Sequence, residues 1–433
     1  MPSRSTLFPD TPIMNVLLIS ANTERINMPT MPLGLAMVAA AVRRAGYETA
    51  LLDLLSEADP AAAIRRAVAA FTPQVIGISV RNVDDQVMED TKFLLEPVRE
   101  LVTACRATTA APIVLGGAGY SIFPDAALAY LGADFGIRGE GEVALPALLA
   151  RLQRGEDPST VPGVHVSGRV VPTPRTFAQD LDALPLPGED LWSSADPQDP
   201  EVWVPVQTRR GCPLACTYCS TPALEGRDVR VRSPQLVTEH IARVAKAGFR
   251  RFYFVDNTFN LPPAYALEIC RRLETLHLDL AWRGILYPHQ VPEDLVAAMA
   301  RAGCVEVGLG FESGSRRVLR AMNKRFDPEE VQEISERLAT HGIRRRGFLL
   351  LGGPKETEAS VEESLDFADS LHLEALNISV GIRIYPHTVL AELARKEGII
   401  DAKCTLLQPR FYLRPGLETF IRAALARRRL PMA

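Results

Sequence analysis

Cys212, Cys216 and Cys219 lie within eight residues and are three of the chain's seven cysteines. Gly211 and Pro213 keep this stretch out of regular helix, and a short irregular loop can turn three sulfurs toward one point. A structural zinc site asks for four protein ligands, usually in two close pairs. Here no second pair follows: Cys270 and Cys304 stand alone, and Cys105 and Cys404 are farther off. Three thiolates without a fourth suit a cubane iron–sulfur cluster with one open iron. A zinc loop completed by a distant His or Cys, or a chance grouping of core cysteines, are the alternatives.

The elements around this loop explain how it would be held. The strand pattern "VWVPVQT" (202–208) runs straight into it. Further strand patterns follow at 251–256, 280–286, 305–311, 345–352 and 376–384, with helical stretches between them. Six β/α units suggest a barrel or partial barrel, whose chemistry belongs at the C-terminal strand ends. An earlier series has strands at 13–20, 48–53, 74–80, 112–117 and 134–139. Its helices begin near Leu33, Pro60, Gln86 and Phe123, with a fifth after Glu142. That alternation indicates an open parallel α/β sheet, with ligands at the point where strand order reverses. The division is therefore 13–154 for the open sheet, 155–198 for a Pro-, Asp- and Ser-rich linker with a short hairpin near "GVHVSGRVV", 199–395 for the barrel and 396–433 for a C-terminal extension.

Composition narrows the partners. The 433 residues carry 48 basic and 52 acidic side chains, and no long basic run suggests nucleic acid or an anionic membrane surface. The N-terminal stretch lacks the apolar core of a signal peptide, and "PLGLAMVAAAV" is too short to span a bilayer. A cytoplasmic, reducing compartment is expected, where clustered cysteines serve metal or redox chemistry.

Cys212-x-x-x-Cys216-x-x-Cys219, with aromatic Tyr218 before the last cysteine and a first barrel strand before the loop, resembles the signature of the radical S-adenosylmethionine (SAM) superfamily. The resemblance implies a [4Fe–4S] cluster on the three cysteines, with SAM chelated to the open iron and cleaved to a 5′-deoxyadenosyl radical. It also implies SAM contacts from Tyr218, from Asp256 and Asn257 at the second strand end, from Glu312 and Ser313 in "GFESGS", and from Gly352 and Gly353 in "LLLGGPKET". The usual Gly-Gly-Glu at the second strand end is missing. Glu312 has a second reading as a helix N-terminal charge, and "GGP" as a plain turn.

The first domain resembles the cobalamin-binding domain that precedes the barrel in one radical SAM subclass. The markers are "MPLGL" (31–35), "GISVRNVDDQ" (77–86), "VLGGAGYSIFP" (114–124), "RGEGE" (138–142) and "GIRIYPHT" (381–388). They imply cobalamin contacts from Pro32, Leu33, Gly34, Ser79, Arg81, Asn82, Gly116, Gly117, Gly119, Tyr120, Gly139 and Glu140. A dinucleotide fingerprint is the competing reading, but "LLISANTERIN" after the first strand has no G-x-G-x-x-G. All seven histidines lie at 165 or beyond, so the Asp-x-His-x-x-Gly cobalt ligand of many cobalamin proteins is missing. Arg81 or a water is expected at the lower face of the corrin, unless Arg81 makes a surface salt bridge to Asp84 or Asp85.

The resemblance implies a C-methyltransferase. One SAM methylates cob(I)alamin, a second gives the radical that takes a substrate hydrogen, and the carbon radical accepts the methyl group. The substrate is expected to be a small natural-product or lipid-type molecule, and electrons to come from a flavodoxin or ferredoxin. Arg283, Tyr287, His289, Arg346, Tyr385 and His387 are substrate-side candidates, expected near C-terminal strand ends, where Arg283 and Arg346 could grip a carboxylate or phosphate. Radical rearrangement, ring contraction or cyclisation is the alternative enzymatic reading. A non-catalytic cobalamin or redox sensor lacks an output module, and a methylthiotransferase lacks its N-terminal cysteines and basic RNA module.

Overall fold

The computed structural model describes residues 14–25, 31–169, 174–188 and 195–430. The first sheet holds β1 (Asn15–Ser20), β2 (Glu48–Asp53), β3 (Val75–Ser79), β4 (Ile113–Gly116), β5 (Phe135–Ile137) and β6 (Val164–Val166). Their order is β2-β1-β3-β4-β5-β6. The first five are parallel and β6 is antiparallel to β5. Alternation gives each face its own core. Val16 and Leu18 pack with helices Leu33–Arg44 and Gly141–Gln153. Leu17 and Ile19 pack with helices Pro60–Phe71 and Leu95–Thr108. Burial on both faces is why these strands read as continuous apolar runs. Strand order reverses between β1 and β3, so a crevice opens at their C-terminal ends.

One expectation in this half needs correction. No helix begins near Gln86; the helix starts at Leu95. The Asp84 and Asp85 carboxylates accept from the backbone N–H groups of Gln86 and Val87 at 3.0 and 3.1 Å. Such Asx turns compete with helix, and Gln86 and Asp90 both take positive φ. The linker's "GVHV" supplies β6, antiparallel to β5 at the edge of the sheet, and a turn follows it, with Arg169 N donating to Val166 O at 3.1 Å. Residues 170 and 171, the end of the expected hairpin, lie outside the described residues.

The second half contains β7 (Val204–Val206), β8 (Arg209–Arg210), β9 (Arg230–Val231), β10 (Arg251–Phe254), β11 (Ala281–Leu286), β12 (Cys304–Glu312), β13 (Arg344–Leu351) and β14 (Ala375–Val380). The six longer strands form one parallel sheet, β14-β13-β12-β11-β10-β7, in sequence order. This is a six-unit partial barrel. β8 and β9 pair antiparallel just beyond β7. The expected last strand breaks at Gly381 (φ +75), where a Cβ would lie 2.6 Å from Met88 Sδ of the first domain. Beyond the break, β15 (Ile382–Arg383) pairs with β16 (Phe411–Tyr412). Among the described residues no helix is long and apolar enough to cross a membrane.

Phe252, Phe254, Trp282, Val307 and Leu309 pack against the outer helices. Alternation therefore turns Tyr253, Arg283, Glu306, Arg346 and Asn377 to the inner face. Arg283 and Arg346 do not sit at C-terminal strand ends as expected. Arg346 precedes the end of β13 by five residues, about 16 Å of strand, and Arg283 is the third residue of β11. Period-two patterning fixes a residue's face but not its depth.

Candidate active site

The cysteine loop leaves β8 through Gly211, whose φ of +90 and whose phantom Cβ, 2.0 Å from Asp228 O, admit only glycine. Cys212 N donates to Gly226 O at 3.2 Å, and Cys219 N to Cys216 O at 3.2 Å. Thr221 supports the last sulfur, with its N–H donating to Cys219 Sγ at 3.5 Å. Burial pushes the Cys212 and Cys216 thiols up, and each feels the Cys219 charge as a further upward push. The three thiols are thus electrostatic neighbours that a metal must deprotonate. Among the described residues no three His, Cys, Asp or Glu side chains converge on a single metal ion. Three thiols on one irregular loop suit a cubane, which spreads its cysteines over separate irons. The donor set fits the cluster.

Two carboxylates brace this loop from below. Asp256, 1% exposed, accepts from Thr208 N (2.8 Å), Thr208 Oγ1 (2.7 Å) and Arg209 N (3.2 Å). Glu225 accepts from Gly211 N at 3.1 Å and Asn257 Nδ2 at 2.7 Å. Asp256 and Asn257 therefore reach the cysteine loop through its supports. Glu225 was invisible in the sequence, being one acidic residue in a five-residue helix.

On the other side, Glu312 ends β12 at φ +63. The Tyr218 hydroxyl donates to its Oε1 at 3.0 Å and Lys324 Nζ lies 3.1 Å from the same oxygen. Tyr218, Glu312 and the cysteines are thus brought together. Lys324 is an addition that sequence reasoning missed, since "AMNKR" looks like an ordinary basic surface stretch. Ser313 is fully buried and bonds Ser364 Oγ at 2.8 Å. The N–H groups of Gly352 and Gly353 both donate to Glu356, whose carboxyl burial pushes up to about 7. A Cβ on Gly352 would meet Leu413 at 2.2 Å.

A cavity of about 460 Å³ opens at the C-terminal ends of β1, β3 and β4. Pro32, Leu33, Gly34, Ser79 and Arg81 line it, as do Gly116, Gly117, Gly139 and Glu140. Built Cβ atoms on Gly34, Gly116 and Gly139 meet nothing within 4 Å, so bare backbone faces open space there. The barrel closes the cavity with Pro205, Gln207, Arg210, Glu225 and Val255. Bare backbone and apolar side chains here suit the flat face of a corrin such as cobalamin's. Asn82, Gly119 and Tyr120 do not line it. Tyr120 is fully buried with its ring over Gly136, and a Cβ on Gly119 would lie 3.1 Å from Arg81 O, to which Gly119 N donates at 2.9 Å.

Arg81 is exposed and, among the described residues, makes no ion pair. Although the residue is exposed, its guanidinium end is surrounded by enough protein to lower its pKa, an effect the Tyr253 phenol of the barrel's inner face opposes. The salt bridge to Asp84 is not formed, because Asp84 belongs to Arg383 at 2.8 Å. That pair, 3% and 2% exposed, ties the loop after β3 to the end of the barrel. A second clamp joins the domains beside the cavity. Arg210 bonds Glu142 and lies 3.3 Å from Glu140, which also takes Arg230 at 2.6 Å. Most of the Glu140 carboxylate is spent on this clamp.

The other candidates scatter. Arg283 stacks between Trp203 (4.2 Å) and Tyr253 (5.1 Å), and Arg346 reaches Glu306 at 3.3 Å. Tyr287 is buried and accepts Arg325 N at 2.9 Å beneath Lys324. His289 is turned away to Glu330 at 3.0 Å. Tyr385 lies beside Phe123, its hydroxyl pKa raised by burial and by the nearby charge of Asp84, and His387 is exposed.

Comparison with known proteins agrees with this geometry. Residues 206–368 match the radical SAM superfamily model and residues 19–149 the B12 binding domain model. The chain is 27% identical to an uncharacterized methyltransferase of Pyrococcus horikoshii, covering 90% of this chain and 84% of that protein. It is 23% identical to tryptophan 2-C-methyltransferase of Streptomyces laurentii, covering 86% and 73%. Its fold superposes with a TM-score of 0.83 on the radical SAM methyltransferase TsrM from Kitasatospora setae, solved with tryptophan and a SAM analog, at 22% identity over 95% of this chain and 88% of that one. With a cysteine loop at the mouth of a partial barrel and a glycine-walled cavity across from it, the chain is an enzyme of the radical SAM superfamily with a B12-binding domain, built for a [4Fe–4S] cluster, SAM and cobalamin.

Proposed function

We propose that this protein is a cobalamin-dependent radical SAM C-methyltransferase acting on a small molecule. One observation carries the reading: Glu225 both braces Gly211 of the cysteine loop and lines the cavity of the other domain. The two cofactor sites therefore share a wall. When bound, the three groups supply reductive SAM cleavage and methyl delivery to carbon. The chain's part is to hold them close, exclude water and fix the substrate between them. Cys212, Cys216 and Cys219 hold the cluster. Tyr218, Glu312 and the backbone at Ser313, Gly352 and Gly353 border the SAM site, with Asp256 and Asn257 keeping the loop in place. Residues 13–154 hold cobalamin, 155–198 link, with Val164–Val166 completing the first sheet, 199–395 hold the cluster and SAM, and 396–433 are a short C-terminal extension. Arg283 and Arg346, deep on the barrel's inner face, and Tyr385 and His387, beyond its last strand, are the substrate-side residues, so the substrate would reach down into the barrel. The tryptophan named for one relative supports a small substrate with a carboxylate. A flavodoxin or ferredoxin in a reducing cytoplasm is the electron source.

Arg81 gives the reading a test. A protonated guanidinium cannot ligate cobalt, and the chain has no histidine before position 165. Arg81, which lines the cavity, would then keep water from cobalt held there and favour its electron-rich form. The reconstituted protein should retain about one cobalamin, and electron paramagnetic resonance of its cob(II)alamin form should lack nitrogen superhyperfine splitting. Arg81→Ala should admit water to the lower face with the iron content unchanged, and Arg81→Lys should restore the signal only in part. Failure to retain cobalamin would overturn the proposal, and nitrogen splitting would overturn the role of Arg81.

A further inference from the structure

The segment Met322–Lys324 is laid along the cysteine loop. Thr217 N donates to Met322 O at 3.1 Å, and Asn323 Nδ2 donates to Ala215 O at 2.8 Å. These bonds drive the next side chain inward, and Lys324's is 4% exposed. Its ammonium is 3.1 Å from Glu312 Oε1 and faces three rings, with centroid distances of 5.3 Å to Tyr218, 5.7 Å to Tyr287 and 5.9 Å to Phe326. Burial opposes this charge, but Glu312, Tyr218 and Cys216 outweigh it, and Lys324 stays protonated with a pKa well above the usual lysine value. Glu312 holds a backbone conformation that costs energy for a non-glycine residue, and Tyr218 and Lys324 secure it there. Tyr218, which bonds Glu312, stands between Cys216 and Cys219 in the loop, so the pair lies beside the cluster ligands.

A buried ion pair of this kind is costly to build, and a plain apolar plug would fill the space. Its position beside a cluster ligand suggests what it does. Reduction adds one electron to the cluster, and nearby charges set how favourable that is. In a dry site each charge acts more strongly than in water. We propose that the Lys324–Glu312 pair sets the electron affinity of the cluster held by Cys212, Cys216 and Cys219, with Lys324 favouring the reduced form and Glu312 opposing it. This rests on the cluster reading of the three cysteines given above.

The test uses the full chain, reconstituted anaerobically, with the cluster titrated by dithionite and followed by electron paramagnetic resonance. Lys324→Met should lower the cluster's reduction potential and Glu312→Gln should raise it. The double variant should return close to the unmodified protein, and Lys324→Arg should stay close to it throughout. Both single variants shifting in one direction, or neither shifting with iron content intact, would overturn the proposal. If Lys324→Met does not fold, Glu312→Gln and Lys324→Arg still decide it: a potential that falls or holds in Glu312→Gln contradicts it. Unmodified protein without iron would instead overturn the cluster reading, and iron analysis shows that before any titration.

Discussion

Alanine at Cys212, Cys216 or Cys219 should take the anaerobically reconstituted protein from roughly four irons per chain to near none, and SAM cleavage should go with it. Each cysteine is a ligand without a spare. Cys270 and Cys304 are buried away from the loop in a helix and at a strand start, and Cys105 is buried in the first domain. The fold itself should survive, because the loop is anchored by Asp256, Glu225 and the backbone bonds of Cys212 and Thr217 rather than by the sulfurs. Iron analysis with circular dichroism separates the two effects. One equivalent of zinc and no iron in the unmodified protein would contradict this assignment.

Arg210→Met should destabilise the protein by about 3–5 kcal/mol, the cost of leaving a buried charge unpaired. The Arg210 side chain is 8% exposed, and Glu142, 4% exposed, has no other cation among the described ion pairs. Glu140 keeps Arg230. Burial works against the Arg210 charge, but the two carboxylates override it and raise its pKa. The loss falls where the domains meet beside the cavity, so cobalamin retention should drop along with the urea midpoint. Arg210→Met with Glu142→Met should recover most of the stability, because no charge is then left alone. If the double variant is no better than the single one, the clamp acts through packing and not through charge.

The strands and the cysteine loop were legible because their signals are local. Apolar runs between Gly- and Pro-marked turns give β1 to β5, and thiol spacing within one loop needs no distant partner. What escaped depends on contacts across the chain. Asp84 makes the segment before Leu95 a turn, and its partner Arg383 lies 299 residues away. Glu140 stands in a stretch that looks like a ligand contact, yet Arg210 and Arg230 from the second half take its carboxylate. Lys324 looks like a surface lysine until Asn323 and Met322 are seen bonded to the cysteine loop. Arg283 and Arg346 lie on an inner face, but only the pairing of β11, β12 and β13 shows how deep they sit. The cobalamin side shows the same split. Cavity-lining glycines followed strand ends in the sequence, while Tyr120, one turn further on, went to the core.

The most direct measurement of the central claim is turnover with methyl-deuterated SAM. The holoprotein, with cluster and cobalamin loaded, would be incubated anaerobically with a reductant and a panel of small carboxylates led by tryptophan, and the products analysed by mass spectrometry. The account predicts a product in which a deuterated methyl group replaces a hydrogen on carbon, formed only when cobalamin is present. A product of unchanged carbon count, or one that forms equally well without cobalamin, would contradict it.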